Sequence, residues 1–368
     1  MSALSIGLMS GTSMDAVDAA LCRIEQGRVA AVLATFQQQY PTPLRERLLA
    51  IQRMPQTLLS LHDYAELDHG VAEQFALAGR GVIASAGLEP AAIRVIGSHG
   101  QTVFHDPKGV INSLQLGDPS WIAARCAVPV VADFRRADIA LGGQGAPLVP
   151  AYHAACFMPL APCSVLNIGG IANLTLLNAP DAVLGFDTGP GNGLMDEWIG
   201  AQRSLRYDDN GRWAASGRVN ASLLQACLKD PFFELPPPKS TGRDRFNLDW
   251  LRRCFADLDA LPAADVQSSL CELTARSIAT QLSRHAPTHR RLLVCGGGAR
   301  NQELLSRLQA LLPAVQVERT EAHGIDGGTV EAAAFAWLAW QRLEGLPGSI
   351  AGVTGASRAA RLGGLYQP

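Results

Sequence analysis

Twice along this chain a short apolar run stops at a glycine turn and resumes beyond it, and a third run stops at three consecutive glycines. Leu4 to Met9 meets Ser10-Gly11-Thr12-Ser13 and returns from Ala16 to Ile24. Ser164 to Ile168 meets Gly169-Gly170 and returns as Ile171 to Leu177. Both read as strand, tight turn, strand. Leu292 to Cys295 meets Gly296-Gly297-Gly298 and gives way to an amphipathic helix, Leu304 to Leu312, a strand–turn–helix layout suited to a nucleotide. The opening layout thus recurs mid-chain although its residues hardly do, which predicts an α/β protein with two lobes.

Between these landmarks, helical spacing appears in Leu44, Leu48, Leu49 and Ile51, in Leu67, Val71, Phe75 and Ala78, and in Leu270, Leu273, Ile278 and Leu282. A last helix is expected over Thr329 to Leu343. The buried strand Val95-Ile96-Gly97 ends in the polar cluster Ser98-His99-Gly100-Gln101, a position that hosts ligands in α/β folds. After Asp133-Phe134-Arg135-Arg136 the glycine-rich run 141–147 reads as a mobile loop. Residues 193–243 read as a polar insert ending in Pro236-Pro237-Pro238-Lys239-Ser240-Thr241-Gly242-Arg243, whose prolines forbid a helix and favour an exposed loop. The lobe boundary is placed after Arg135: 1–135 form an N-terminal lobe joined by 345–368, and 136–344 form the C-terminal lobe.

Glycines admit close approach of a ligand to main-chain N–H groups, and phosphate is the usual such ligand. None of the three turns has a Walker ending or a dinucleotide fingerprint. In a hairpin-tip arrangement Gly11, Thr12 and Ser13 offer amides and hydroxyls to phosphate oxygens, and Asp15 can hold hydrated magnesium; taken singly, each turn is equally a plain hairpin. Asp187, at the end of the short strand in Gly185-Phe186-Asp187-Thr188-Gly189-Pro190-Gly191-Asn192, is placed to accept a proton during phosphoryl transfer, and on the motif alone is equally an ordinary turn residue. Glu331 lies in the first turn of the last helix, where the dipole favours a carboxylate whatever its function. His99 and Gln101 can bond sugar hydroxyls, although a lone histidine after a strand is more often a satisfied structural residue. Arg135 and Arg136 either meet an anionic group or form a solvated pair.

A net charge of -2 without a basic cluster argues against nucleic acid, and 48% hydrophobic with 17% charged residues supplies two packed cores rather than a membrane protein. The eight cysteines show no C-x-x-C spacing, so buried thiols are expected rather than disulfides or zinc. The N-terminus lacks a basic stretch before its apolar run and reads as a strand, not a signal peptide, which makes a cytoplasmic protein the expectation.

Six segments taken together, GTSMDAVD at 11–18, GSHGQT at 97–102, DFRRADIALGGQGAPLVP at 133–150, LNIGGIANLT at 166–175, FDTGPGN at 186–192 and CGGGARN at 295–301, resemble the anhydro-N-acetylmuramic acid kinases over nearly the whole chain. The one departure is Ala16, where many members carry glycine. The resemblance implies a two-lobed actin-like ATPase (ribonuclease H-like) fold with an interlobe cleft, ATP and magnesium as cofactors, and a homodimer. It implies hydrolysis of the 1,6-anhydro bridge of 1,6-anhydro-N-acetylmuramic acid coupled to phosphorylation of O6 during peptidoglycan recycling. Asp187 resembles the family's base and Glu331 a second carboxylate near the sugar. The ATP-binding expectation covers Gly11, Thr12, Ser13, Met14, Asp15, Ala16, Val17, Asp18, Gly169, Gly170, Gly296, Gly297, Gly298 and Asn301; the substrate-binding one covers His99, Gln101, Arg135, Arg136 and Asn192. A kinase of another amino sugar and a non-catalytic nucleotide-binding regulator are the alternatives.

Overall fold

The computed structural model describes residues 2–11, 14–53, 58–243 and 245–368, so Thr12 and Ser13 lie outside the described residues. The chain divides into two compact units, Met1–Cys156 with Thr329–Pro368, and Phe157–Gly328. Strands of the first unit are β1 (Ser2–Met9), β2 (Ala16–Glu25), β3 (Arg28–Gln39), β4 (Val95–Ser98), a separate hairpin of β5 (Gln101–Asp106) and β6 (Asn112–Leu116), and β7 (Val130–Ala132). The second unit holds β8 (Cys163–Ile168), β9 (Ile171–Leu177), β10 (Val183–Pro190), β11 (Arg291–Cys295) and β12 (Gln316–Arg319), and β13 (Gly364–Tyr366) returns to the first.

The repeat read from the sequence is a repeat of topology. One sheet runs β3-β2-β1-β4-β7 and the other β10-β9-β8-β11-β12, with β13 added outside β7. In each, three antiparallel strands are followed by two parallel ones. The inner strands β4 and β8 are buried at every residue, as strands covered on both faces must be. The edge strand β3 alternates exposed and partly buried positions.

Two helices cover opposite faces of the first sheet. Leu61–Ser85 packs Leu67, Val71, Phe75 and Val82 with Ile6, Leu8 and Leu21. On the other face Val330–Leu343 lies against β1 and β4. Gly7 and Gly97 are cross-strand partners there. A Cβ on Gly7 would collide with the Ala332 carbonyl, and one on Gly97 with the Phe335 carbonyl. The two glycines make a flat seat on which the helix backbone rests, and that seat fixes where Glu331, in its first turn, is presented.

This packing moves the unit boundary from its expected position. Residues 136–156 and 329–344, read as part of the second lobe, belong to the first unit. The helix needs the glycine seat, while Asp138 accepts from Thr354 Oγ1 at 2.8 Å and from Gly145 N at 2.9 Å. These bonds also correct the reading of 141–147 as a mobile loop, since Gly143 N reaches Asp138 O and Gln144 N reaches Thr354 O. Asp138→Ala leaves a buried hydroxyl and an amide without partners and is expected to cost about 1–3 kcal/mol. Urea unfolding with limited proteolysis of this segment checks it; an unchanged midpoint and cleavage pattern would refute it.

The expected polar insert is largely helical and apolar inside. Gly193–Arg203 and Ala221–Leu228 are helices, and Trp198, Trp213, Phe232 and Phe233 enter the second unit's core. Phe232, Phe246 and Trp250 stack edge to face at 5.5 and 4.9 Å. The other side of that core is the long helix Ala263–His285. No disulfide joins the eight cysteines. No helix among the described residues is long and apolar enough to cross a membrane.

Candidate active site

In the second unit three glycine segments converge on Asn192. The β8–β9 turn offers the Gly169 carbonyl to Asn192 N (2.8 Å) and the Gly170 carbonyl to Gly191 N and Gly193 N (3.0 and 3.1 Å). Asn192 Nδ2 donates to Ile168 O at 3.4 Å. Its side chain also lies 3.8 and 3.0 Å from where a Cβ on Gly297 and Gly298 would stand. Gly296, at φ 80°, would drive a Cβ into Asn167 and Ile168. Asn192 was expected among the substrate residues; its place beside the glycine turns suits a phosphate equally. The amides of Gly191, Asn192 and Gly193 are spent on these carbonyls, and Gly169 N and Gly296 N on Ile171 O and Gly327 O, so the main-chain N–H groups that this cluster can turn to a triphosphate are those of Gly170, Gly297 and Gly298. Asn301 uses its side-chain oxygen differently: Oδ1 caps Gln302–Leu311 through Leu304 N at 3.0 Å.

Asp187 stands on β10 at a bulge opposite Asn173. Its backbone N–H donates to Lys239 O at 3.0 Å, and its Oδ2 accepts from Thr241 N at 2.8 Å. Burial raises the carboxyl pKa to about 7, against the opposing pull of the Thr241 amide and the Lys239 charge. A carboxylate poised at neutral pH and oriented by a main-chain donor is chemically a general base.

The segment that brackets Asp187 is the proline-rich run. Pro236, Pro238 and Ser240 are exposed as expected, but Lys239 is 8% exposed. Its Nζ donates to Phe232 O (3.0 Å) and Phe233 O (3.4 Å) and lies 4.6 Å from the Phe232 ring centre. Prolines exclude helix, not burial, so the composition of the run concealed both Lys239 and Thr241. Arg243 extends along the β8–β9 turn, its Nε 2.8 Å from a Cβ position on Gly170. It lowers the pKa of Asp196, which burial raises to about 7 with help from Asp208.

In the first unit the β1–β2 turn is tied down by Gln101. Gln101 Oε1 accepts from Ser10 Oγ at 2.7 Å and Tyr40 OH at 3.5 Å, while its Nε2 reaches Gly11 O at 3.5 Å. Gln101 therefore holds the turn beside which it was expected to meet a sugar. Met14 N closes the turn on Gly11 O at 3.2 Å, and the Met14 and Val17 side chains are wholly buried in the core, as is most of Ala16. Only backbone of these three residues faces outward chemistry. Asp18 bonds Gln37 at 2.8 Å. Asp15 Oδ1 pairs with Arg45 at 2.6 Å, so it is not an unengaged direct ligand for magnesium.

A second cluster joins β4, the 133–136 turn and the 330–343 helix. His99, 4% exposed, accepts from Arg135 Nη2 at 2.8 Å on Nε2, and its Nδ1 faces Gly100 O at 2.8 Å. Neutral imidazole satisfies both contacts, and burial with the Arg135 charge holds the His99 pKa well below its ordinary value. Arg135 also donates to Gly145 O at 2.8 Å. Burial lowers the Arg135 pKa to about 10, opposed by Glu331. Arg136 turns away, to Ser113 O at 3.2 Å and Asp133 at 3.5 Å. The structure thus brings His99, Arg135 and Glu331 together and leaves Arg136 outside their group.

Comparison with known proteins decides the family. A family model described as anhydro-N-acetylmuramic acid kinase matches residues 3–368. The chain belongs to that family. An anhydro-N-acetylmuramic acid kinase from Vibrio cholerae serotype O1 is 48% identical over 369 residues, covering 99% of this chain and 98% of that protein. Component A of the (R)-2-hydroxyglutaryl-CoA dehydratase of Acidaminococcus fermentans shares the fold, with TM-score 0.50 at 11% identity over 91% of this chain and 98% of its own. A ROK family glucokinase from Streptomyces griseus, solved with glucose and AMPPNP, has TM-score 0.40 at 14% identity over 92% of this chain and 99% of its own. The doubled strand order is the actin-like ATPase fold expected from the sequence.

Proposed function

We propose that this chain is an ATP-dependent kinase that opens the 1,6-anhydro bridge of 1,6-anhydro-N-acetylmuramic acid and phosphorylates O6, giving N-acetylmuramic acid 6-phosphate and ADP. The family match over residues 3–368 supports the substrate and the reaction class. The geometry of Asp187 carries the mechanism.

Water attacks C1 as Asp187 takes its proton. The C1–O6 bond breaks on the opposite face, as in an inverting hydrolysis. O6 accepts the γ-phosphoryl group, and the bond from the γ-phosphorus to the β,γ-bridging oxygen breaks to release ADP. Thr241 N–H orients the carboxylate for this task. Phosphate oxygens are assigned to the amides of Gly170, Gly297 and Gly298, where developing charge is best stabilised. His99, Arg135 and Glu331 are assigned to the sugar. Arg135 is buried and fixed by two partners, the form in which a guanidinium reads an anionic or carbonyl oxygen with little entropy loss.

Magnesium is part of the same proposal, as the ion that neutralises ATP phosphate charge. Asp15 fits it poorly as a direct ligand because Arg45 engages its carboxylate, and no step here is routed through the ion. A homodimer in the cytoplasm is the setting that the family implies.

Turnover in oxygen-18 water tests the reading. Early product should carry label at C1 and none in the phosphate group. Phosphorylation of N-acetylmuramic acid or a glucosamine derivative with the anhydro sugar untouched would instead favour an ordinary amino-sugar kinase. The pH dependence is a second check. Asp187 works deprotonated, so kcat/KM for the sugar is expected to rise with pH through an acid limb near 7. A limb near 4 would remove the buried carboxylate from the base role.

A further inference from the structure

We propose that Lys239 is a positioning residue for this reaction: its ammonium anchors the segment whose backbone brackets Asp187, and its charge keeps that carboxylate ready to take a proton. The inference rests on Asp187 being the base.

The anchoring is visible atom by atom. Lys239 O receives the Asp187 N–H and Thr241 N donates to the Asp187 carboxylate, so residues 239–241 clasp Asp187 from both its main chain and its side chain. Between these two contacts the run is held inward by the Lys239 side chain, through Phe232 O, Phe233 O and the Phe232 ring. Those phenylalanines are themselves fixed in the core, and Gln281 donates to Phe233 O at 2.7 Å. A chain of rigid contacts therefore runs from the 263–285 helix through Lys239 to the base.

Burying a lysine is costly unless donors and charge are compensated, and the Phe232 and Phe233 carbonyls compensate its donors but not its full charge. What the lysine adds is three donors and a positive charge close enough to Asp187 to lower its proton affinity. The charged groups around it are few. Glu234 from the 231–234 turn supports its charge, Arg284 from the 263–285 helix opposes it and pairs with Glu234 at 2.9 Å, and Lys239 in turn depresses His285. The Lys239 pKa falls to about 8 by burial, so it stays charged where Asp187 must ionise.

The experiment is the pH profile of kcat/KM for the anhydro sugar at saturating ATP, for wild type, K239M, K239Q and K239R, with D187N as reference. In K239M and K239Q the acid limb is expected to move alkaline by about one pH unit, with about a fivefold loss at pH 7 that is largely recovered at pH 9. K239R keeps the charge and should hold the limb near its wild-type position. A limb that does not move in either neutral variant, a loss equal at every pH, or failure of both neutral variants to fold would overturn the proposal by reducing Lys239 to a packing role. Error in the base assignment itself has a separate signature, since D187N would then keep its turnover.

Discussion

Asp187→Asn is expected to lower kcat for the anhydro sugar by about 10²–10⁴-fold, the range for loss of a general base, while ATP binds as in wild type. Asparagine preserves the acceptor for Thr241 N and the shape of the site, so the loss isolates proton acceptance from folding. The same variant should be more stable than wild type in alkali. Burial raises the Asp187 pKa from 3.8 to about 7. The native state then holds this proton more tightly than the unfolded chain, and the carboxylate's destabilising effect grows as pH rises from about 4 to about 7 and is complete above that. Asparagine never ionises. At pH 8 the variant should gain about 4 kcal/mol over wild type, and at pH 4 the difference should vanish. Paired urea titrations at the two pH values measure it. Turnover within a factor of about three of wild type, or a stability gap independent of pH, would contradict the assignment.

Gly7→Val is expected to be the most damaging substitution in the first unit. A side chain there meets main-chain atoms of Ala332 and Ala336, which cannot rotate aside as a side chain could. The 330–343 helix must lift from the sheet, at a cost of about 3 kcal/mol by the measure of overpacked cores. Lifting it also carries Glu331 away from Arg135, so activity should fall further than the unfolded fraction accounts for. Circular dichroism melting compared with kcat on the folded fraction separates the two effects. A variant that melts like wild type would show that the helix does not rest on this seat.

Much of this was legible in the residues. Buried runs ending in glycine marked β1, β8 and β11, because an inner strand is apolar throughout and its end must turn. Asp187 was singled out for the same reason, as a carboxylate closing such a run, and it does stand on the strand β10. What stayed hidden depended on partners far along the chain. His99, Arg135 and Glu331 are separated by tens to hundreds of residues, and nothing local says that Arg135 turns inward while Arg136 turns to Asp133. Gln101 has the same amide to offer a sugar as the turn, where its oxygen accepts from Ser10 and its nitrogen donates to Gly11 O, and nothing local announces those partners. Met14 and Val17 sit inside a motif that suggested ligand contact, yet Val17 shares the core face of β2 with Ala19 and Leu21, and Met14, at φ 51° before that strand, is buried in the same core. Lys239 was masked by its own neighbours, since three prolines announce an exposed loop and say nothing of one residue that bends back. The boundary between units fell elsewhere because the helix stands more than 300 residues beyond Gly7 and more than 200 beyond Gly97.

That separation has a consequence for how the molecule is made. The first unit is completed only by residues 329–368, whereas the second is continuous. On the ribosome the middle of the chain can reach its native form while the earlier-synthesised sheet is still unroofed, reversing the usual vectorial order in which the N-terminal part matures first. Until the last helix emerges, one face of β1 and β4 stays bare, and nascent chains halted before that point are the form that chaperones should engage.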